Sequence, residues 1–207
     1  MSILVLTSDT LIGTPAVGNI EYSSPIFAAT PIGTQRGIVP TQQYYRLNAT
    51  VAGADVSTAQ SIFGVGVTLS ASTVYEFEIL AALSKSAGTT SHTFGLGFSG
   101  TATLNNILYQ ETHLTSATSF GTAEQAVVGS TQQTASNVSI QSASTSAFRS
   151  YVFIIKGTVS INAGGTFIPQ YTLSAAPGGA YSTATGSYIR INPLSASGAA
   201  TNVGTWA

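Results

Sequence analysis

Along most of the chain, apolar and polar residues alternate with period two. Thr73-Val-Tyr-Glu-Phe-Glu-Ile-Leu80 sets Tyr75, Phe77 and Ile79 on one side and Glu76 and Glu78 on the other, the pattern of a half-buried strand. Ser91–Phe98 repeats it with Phe94, Leu96 and Phe98, while Gly95 and Gly97 leave the opposite side bare for a close backbone or a neighbouring subunit. Further strands are expected at 44–47, 66–69, 105–112, 126–129, 148–161, 166–173 and 186–194. Residues 129–147 read as a polar loop with one edge strand. Asp55–Phe63 allows one short helix, with Asp55 or Ser57 as N-cap and Gly64 as stop. About eight to ten strands with turn signals between them predict an all-β jelly roll or β-sandwich.

Residues 1–40 differ. They hold four of the seven prolines, Pro15, Pro25, Pro31 and Pro40, and two short strands, 19–22 and 25–28, before the extended 36–40. Proline at this density suits edges and extended chain. The expected division is an N-terminal arm over 1–40 and a sandwich over 41–207.

Composition narrows the function. The 207 residues include no Cys, so packing and association must hold the fold. Charged residues make up 6%, with a net charge of −1, against about 25% in ordinary soluble domains. Six scattered Lys and Arg make no basic field, so nucleic acid is not an expected partner. No apolar run reaches the roughly 18 residues of a membrane span, and the N-terminus has no basic leader pattern, so no membrane partner is expected. Six per cent charge fits a surface covered by other subunits.

The chemical candidates are few. Glu76 and Glu78 stand about 6.7 Å apart on one strand face, near the spacing of glycosidase acids. Such acids flank a sugar from different strands, however, whereas these two point side by side. His92 and His113 lie outside any zinc spacing, although Glu111 and His113 share a strand face. Asp9 and Asp55 are the only aspartates, and no G-x-S-x-G elbow accompanies them. Gly64-Val-Gly66 and Gly95-Leu-Gly97 lack the third glycine of a phosphate loop. The expectation is no enzyme, no cofactor and no metal. Asn48-Ala-Thr50 and Asn137-Val-Ser139 match the glycosylation sequon by chance.

Gly18-Asn-Ile-Glu-Tyr-Ser-Ser-Pro-Ile-Phe27, Gln35-Arg-Gly-Ile-Val-Pro40, Ala59-Gln-Ser-Ile-Phe63 and Thr73–Glu78 occur in an order that resembles a domain of tailed-bacteriophage structural proteins. Ser91–Phe94, Gly157–Ile161, Gly186–Arg190 and the terminal Gly-Thr-Trp-Ala207 extend the likeness over nearly the whole chain. The resemblance implies a homotrimeric jelly roll similar to the tumour-necrosis-factor-like group. Such domains close tail fibres or decorate capsids as cement proteins. Fibre proteins carry a shaft before this domain, but here only about 17 residues precede the Gly18 motif. The expectation is therefore a virion protein, made in the host cytoplasm, that binds and stabilises the major capsid protein shell.

In that reading Ile20, Tyr22, Phe27 and Arg36 are shell-contact candidates on the arm. Phe94, Phe98, Tyr151, Phe153 and Tyr188 are candidates for core or trimer interface. The alternative is a receptor-binding tail knob whose 123–147 loop and exposed tyrosines contact a host glycan. Least favoured is a carbohydrate-active enzyme using Glu76 and Glu78. Arg36, Arg46 and Arg190 are the expected partners of those two acids.

Overall fold

A computed structural model describes residues 6–116, 126–198 and 203. The N-terminal apolar run up to residue 5, the start of the 123–147 loop and the terminal 204–207 motif lie outside the described residues. Sixteen strands and no helix are present among the described residues. In chain order they are β1 (Ile20–Ser23), β2 (Ile26–Ile32), β3 (Gln35–Val39), β4 (Gln43–Arg46), β5 (Val51–Ala52), β6 (Gln60–Ser61), β7 (Val67–Leu69) and β8 (Thr73–Lys85), followed by β9 (His92–Ser99), β10 (Thr103–Ser116), β11 (Ala126–Gln132), β12 (Val138–Ser144), β13 (Arg149–Ala163), β14 (Gly165–Leu173), β15 (Ser182–Thr183) and β16 (Tyr188–Ala196).

They form three antiparallel sheets. The large one runs β11-β10-β13-β8, where β8 pairs with β16 along its first part and with β15 near its end. β4 lies beyond β16, and β5 beyond β15. The second runs β12-β9-β14, with β6 and β7 on the far side of β14. These two sheets face each other as a β-sandwich. Odd-numbered residues of β8 and β13 point into the gap, and Tyr75, Phe77, Ile79, Tyr151, Phe153 and Ile155 are buried there. From the other side come Phe94, Leu96, Phe98, Phe167 and Tyr171. Phe94 lies 5.5 Å from Phe153 and 5.4 Å from Tyr171, ring centroid to centroid, so one side chain joins both sheets.

The bare side of β9 is closed within the chain. A Cβ on Gly97 would stand 2.9 Å from the Asn137 backbone, and one on Gly95 3.0 Å from the Val138 carbonyl. The close neighbour is therefore the start of β12, which also makes the polar 129–147 stretch mostly strand, shared between β11 and β12.

Two expectations need correction. The short helix at 55–63 is not formed. Gln60 accepts from the Ala54 amide at 2.6 Å and donates to the Ala54 carbonyl, closing a loop, while Asp55 caps the distant Gly178 amide at 2.9 Å. A helix this short has little to offset its nucleation cost. The long-range bond takes Asp55 away from its capping position, the Gln60 bonds hold a loop in place of a turn of helix, and the segment runs into β6.

The second concerns residues 20–39. The expected strands are present, but they are tied into a three-stranded sheet, β1-β2-β3, and are not laid out as an extended arm. Pro31 falls inside the irregularity between Ala29 and Ile32 of the β2–β3 ladder, where no amide donor is required. Glu21 and Arg36 lock the sheet across its width, with Arg36 Nε donating to Glu21 Oε2 at 2.8 Å. Arg36 also donates to the Ile12 carbonyl, and the Ile12 amide donates to Glu21, which binds the preceding segment to the sheet. The guanidinium beside Glu21 holds its carboxyl below the usual range.

Candidate functional site

The acids that first draw attention in the sequence lie on the outer face of the large sheet. Glu78 is flanked in register by Lys156 on β13 and Arg190 on β16. Its carboxylate accepts from Arg190 at 2.7 Å and from the Tyr188 hydroxyl at 2.8 Å, and Lys156 Nζ is 3.2 Å away. The Arg190 hydrogen bond comes first among the causes that hold its pKa down to about 2, against a smaller opposing effect of burial. A carboxylate so stabilised is a poor proton donor near neutral pH.

Glu76 is exposed one register step away, opposite Thr158 and Asn192. Together with Pro40, Gln42, Lys156, Arg190 and Asn192, the two acids border a polar cleft of about 320 Å³. They stand side by side on one strand and do not oppose each other across the cleft. Of the expected partners, Arg190 reaches Glu78. Arg36 is committed to Glu21, and Arg46 donates to Asn48. Lys156 was not foreseen, because its place beside Glu78 depends on the β8–β13 register.

The histidines have separate roles. His92 is buried, and its Nδ1–H donates to the Thr90 carbonyl at 2.7 Å, leaving Nε2 to accept from the Tyr181 hydroxyl at 3.0 Å. His113 and Glu111 point into the sandwich at the end where β10 meets β11 and β12. His113 Nδ1–H donates to Glu111 Oε2 at 2.9 Å, Ser130 Oγ donates to Glu111 Oε1 at 3.0 Å, and His113 Nε2 lies 3.2 Å from Gln141 Oε1. The serine bonds the carboxylate and not the imidazole, so the order of a nucleophile–base relay is absent from this cluster. What the cluster does is tie both sheets together through β10, β11 and β12. Among the described residues no three His, Cys, Asp or Glu side chains converge as a metal site.

Lys85 is a further buried ion. Its Nζ donates to the Ala87, Gly88, Ser146 and Ala147 carbonyls at 2.7 to 3.3 Å. Burial, with Arg149 adding to it, pushes its pKa down. Sequence alone could not show this, since nothing marks four carbonyls from two loops as one cage.

The arm candidates divide. Ile20 is 66% exposed. Tyr22 and Phe27 are half-buried and stacked on each other at 4.5 Å, and Arg36 is occupied by Glu21. Phe94, Phe98, Tyr151 and Phe153 are all core within one chain. Tyr188 is half-buried on the outer face, with its ring 5.5 Å from Tyr44.

The same outer face carries an apolar region. In register, Val127, Leu114, Val152 and Ala82 form one row, and Thr112, Ile154, Leu80 and Tyr188 the next. Gln110, Lys156, Glu78 and Arg190 make the third row, and Leu108 lies opposite Thr158 in a fourth. Val127, Ile154 and Leu108 are exposed large hydrophobics. In the N-terminal region Ile12, Val17, Ile20, Ile32 and Val39 are also exposed.

No family model matches the chain, and no curated protein matches it. A solved structure, "Structure of infectious bursal disease virus Gx strain", aligns at 11% identity over 84% of this chain and 48% of that chain, with a TM-score of 0.17. A likeness of that size carries no argument about fold or function. What defines the molecule is its own geometry: an all-β sandwich with a small added sheet, whose sheet face is part apolar and part ion-paired.

Proposed function

We propose that the protein is a virion structural protein, a homotrimeric jelly-roll capsid decoration protein that binds and stabilises an assembled phage head. The sequence resemblance supplies the class. The observation that carries the assignment of surfaces is that, among the described residues, a chain poor in charge exposes large hydrophobics in two separate regions, the outer sheet face and the N-terminal sheet. Isolated exposed hydrophobics are ordinary, but grouped ones mark contact surfaces.

The outer face of β11-β10-β13-β8-β16 serves as the contact between copies. Five strands about 4.8 Å apart and four rows about 6.7 Å apart cover on the order of 600 Å², close to the ~800 Å² that each partner buries in a standard interface. Glu78, Lys156 and Arg190 are already paired within the chain, so of the charges on these four rows covering the face strands Glu76 alone. The N-terminal sheet serves as the shell contact, through Ile20 and Ile32. A trimer that binds only assembled shells stabilises them by mass action.

Sedimentation and shell-binding assays separate the two surfaces. Ile154→Lys on the outer face is expected to give folded monomers. Ile20→Lys with Ile32→Lys is expected to give trimers that no longer bind shells. Full shell binding by the second variant would sink the reading, as would localisation of the wild-type chain to tails alone.

A further inference from the structure

Among the described residues, nearly every charged side chain is engaged by its own chain. Arg36 holds Glu21, Lys156 and Arg190 hold Glu78, and Lys85 and Glu111 are satisfied in the interior. Asp9 and Asp55 accept from the Thr10 and Gly178 amides, and Arg149 lies over the Tyr151 ring. Two ions are left over, and both are exposed. Glu76 forms no hydrogen bond or ion pair among the described residues; Arg190 feels its charge but is bonded to Glu78. Arg46 has no acid beside it, and its bond is to the neutral Asn48 side chain at 2.8 Å.

These two ions have opposite signs and share the outer face, yet one chain cannot join them. Arg46 on β4 lies opposite Tyr188 on β16, and Tyr188 lies opposite Leu80 on β8, four residues from Glu76. Strand geometry therefore separates the two backbones by about 16 Å, four residues along and two strands across.

Beside Glu76 there is room for a guanidinium. Glu76, Gln42 and Asn192 border the polar cleft of about 320 Å³, and their side chains form no hydrogen bond among the described residues. A carboxylate and two amide oxygens suit the fork of N–H donors on an arginine. Lys156 and Arg190 also border the cleft, but both are held by Glu78.

We propose that Arg46 of one copy enters this cleft on the next copy and pairs with Glu76, fixing how the copies are oriented. The inference rests on the proposed contact between copies through the outer face. It extends that contact to β4 and supplies the stranded acid with a counter-ion. Head-to-tail pairing around a three-fold axis uses each Arg46 and each Glu76 once. With Lys156 and Arg190 close by, the pair acts through specificity more than affinity, since a copy docked out of register leaves Glu76 covered and unpaired.

The test is sedimentation equilibrium of the full chain, with a thermal melt of each variant to establish that it folds. Wild type is expected to be trimeric. Glu76→Arg and Arg46→Glu, both at exposed positions, should each weaken association at least tenfold by setting like charges face to face. The chain carrying both substitutions should return to within about threefold of wild type, because the exchanged charges pair again. Single variants that associate as tightly as a trimeric wild type overturn the pair, as does a double variant no stronger than the weaker single one. Either result leaves the contact between copies standing. A wild-type chain that stays monomeric overturns that contact, and the pair with it.

Discussion

His113 donates to Glu111 across 2.9 Å in the interior of the sandwich, and both side chains are fully buried. They are neighbours on one strand face, two residues apart. Their partners Ser130 and Gln141 come from β11 and β12. A pair this deep is costly to desolvate, and removing one member leaves the other uncompensated. Glu111→Leu alone is expected to cost about 3–5 kcal/mol in urea unfolding. Adding His113→Phe should recover a large part of that loss, because an apolar pair has no unmet polar group. Losses that simply add would show that the two residues do not act as a unit.

Glu78 gives a pH dependence of known sign. Its folded pKa is lowered to about 2 from the ordinary 4.5, so its contribution is present in full above the unfolded pKa and fades as pH falls through the folded one. Glu78→Gln should lower stability by about 1–2 kcal/mol near neutral pH, a figure kept small by the exposure of Arg190 and Lys156. The gap between wild type and variant should narrow below pH ~4.5 and close near pH ~2. Parallel unfolding curves from pH 7 to pH 2 would contradict the ion-pair assignment.

Two buried tyrosines should respond in opposite ways to loss of the hydroxyl. The Tyr109 hydroxyl is buried without a hydrogen-bond partner among the described residues, and burial, with Glu111 adding to it, pushes its pKa up to about 12. The Tyr181 hydroxyl donates to His92. Tyr109→Phe is expected to be neutral or stabilising by up to about 1 kcal/mol, while Tyr181→Phe should cost about 1–2 kcal/mol. Thermal melts of the two variants make the comparison directly.

Gly97→Ala tests the close approach of β12. The new Cβ would meet the Asn137 backbone at 2.9 Å, so the segment before β12 must move. A cost of about 1–3 kcal/mol is expected, with faster hydrogen exchange concentrated at 137–141. Unchanged exchange there would mean that the backbones are farther apart.

Lys85→Met removes a cation from four carbonyl acceptors. The loss should be about 2–4 kcal/mol. Lys85→Arg should not restore it, because a planar guanidinium cannot aim its donors as a compact ammonium does. Full rescue by Arg would argue against the cage.

Much of the architecture was legible because a strand's side-chain period is a local property. Tyr75, Phe77 and Ile79 had to face one way and Glu76 and Glu78 the other, whatever the topology. The glycines of β9 likewise signalled a close backbone before its identity was known. The 55–63 helix misled because Asp55, one of its two candidate caps, found a partner far away in sequence at Gly178, while Gln60 closed a local loop onto Ala54. Proline density in the first 40 residues suggested an extended arm, but the bidentate Glu21–Arg36 pair joins strands that local propensity leaves separate.

What the sequence determined by itself was the all-β class, the inward face of each long strand and the shortage of charge. What only the tertiary structure decided was which strands became neighbours. That choice placed Lys156 and Arg190 on either side of Glu78 and surrounded Lys85 with carbonyls. Register and long-range pairing depend on the packing of the whole sandwich, and a shift by one residue would turn every side chain to the opposite face.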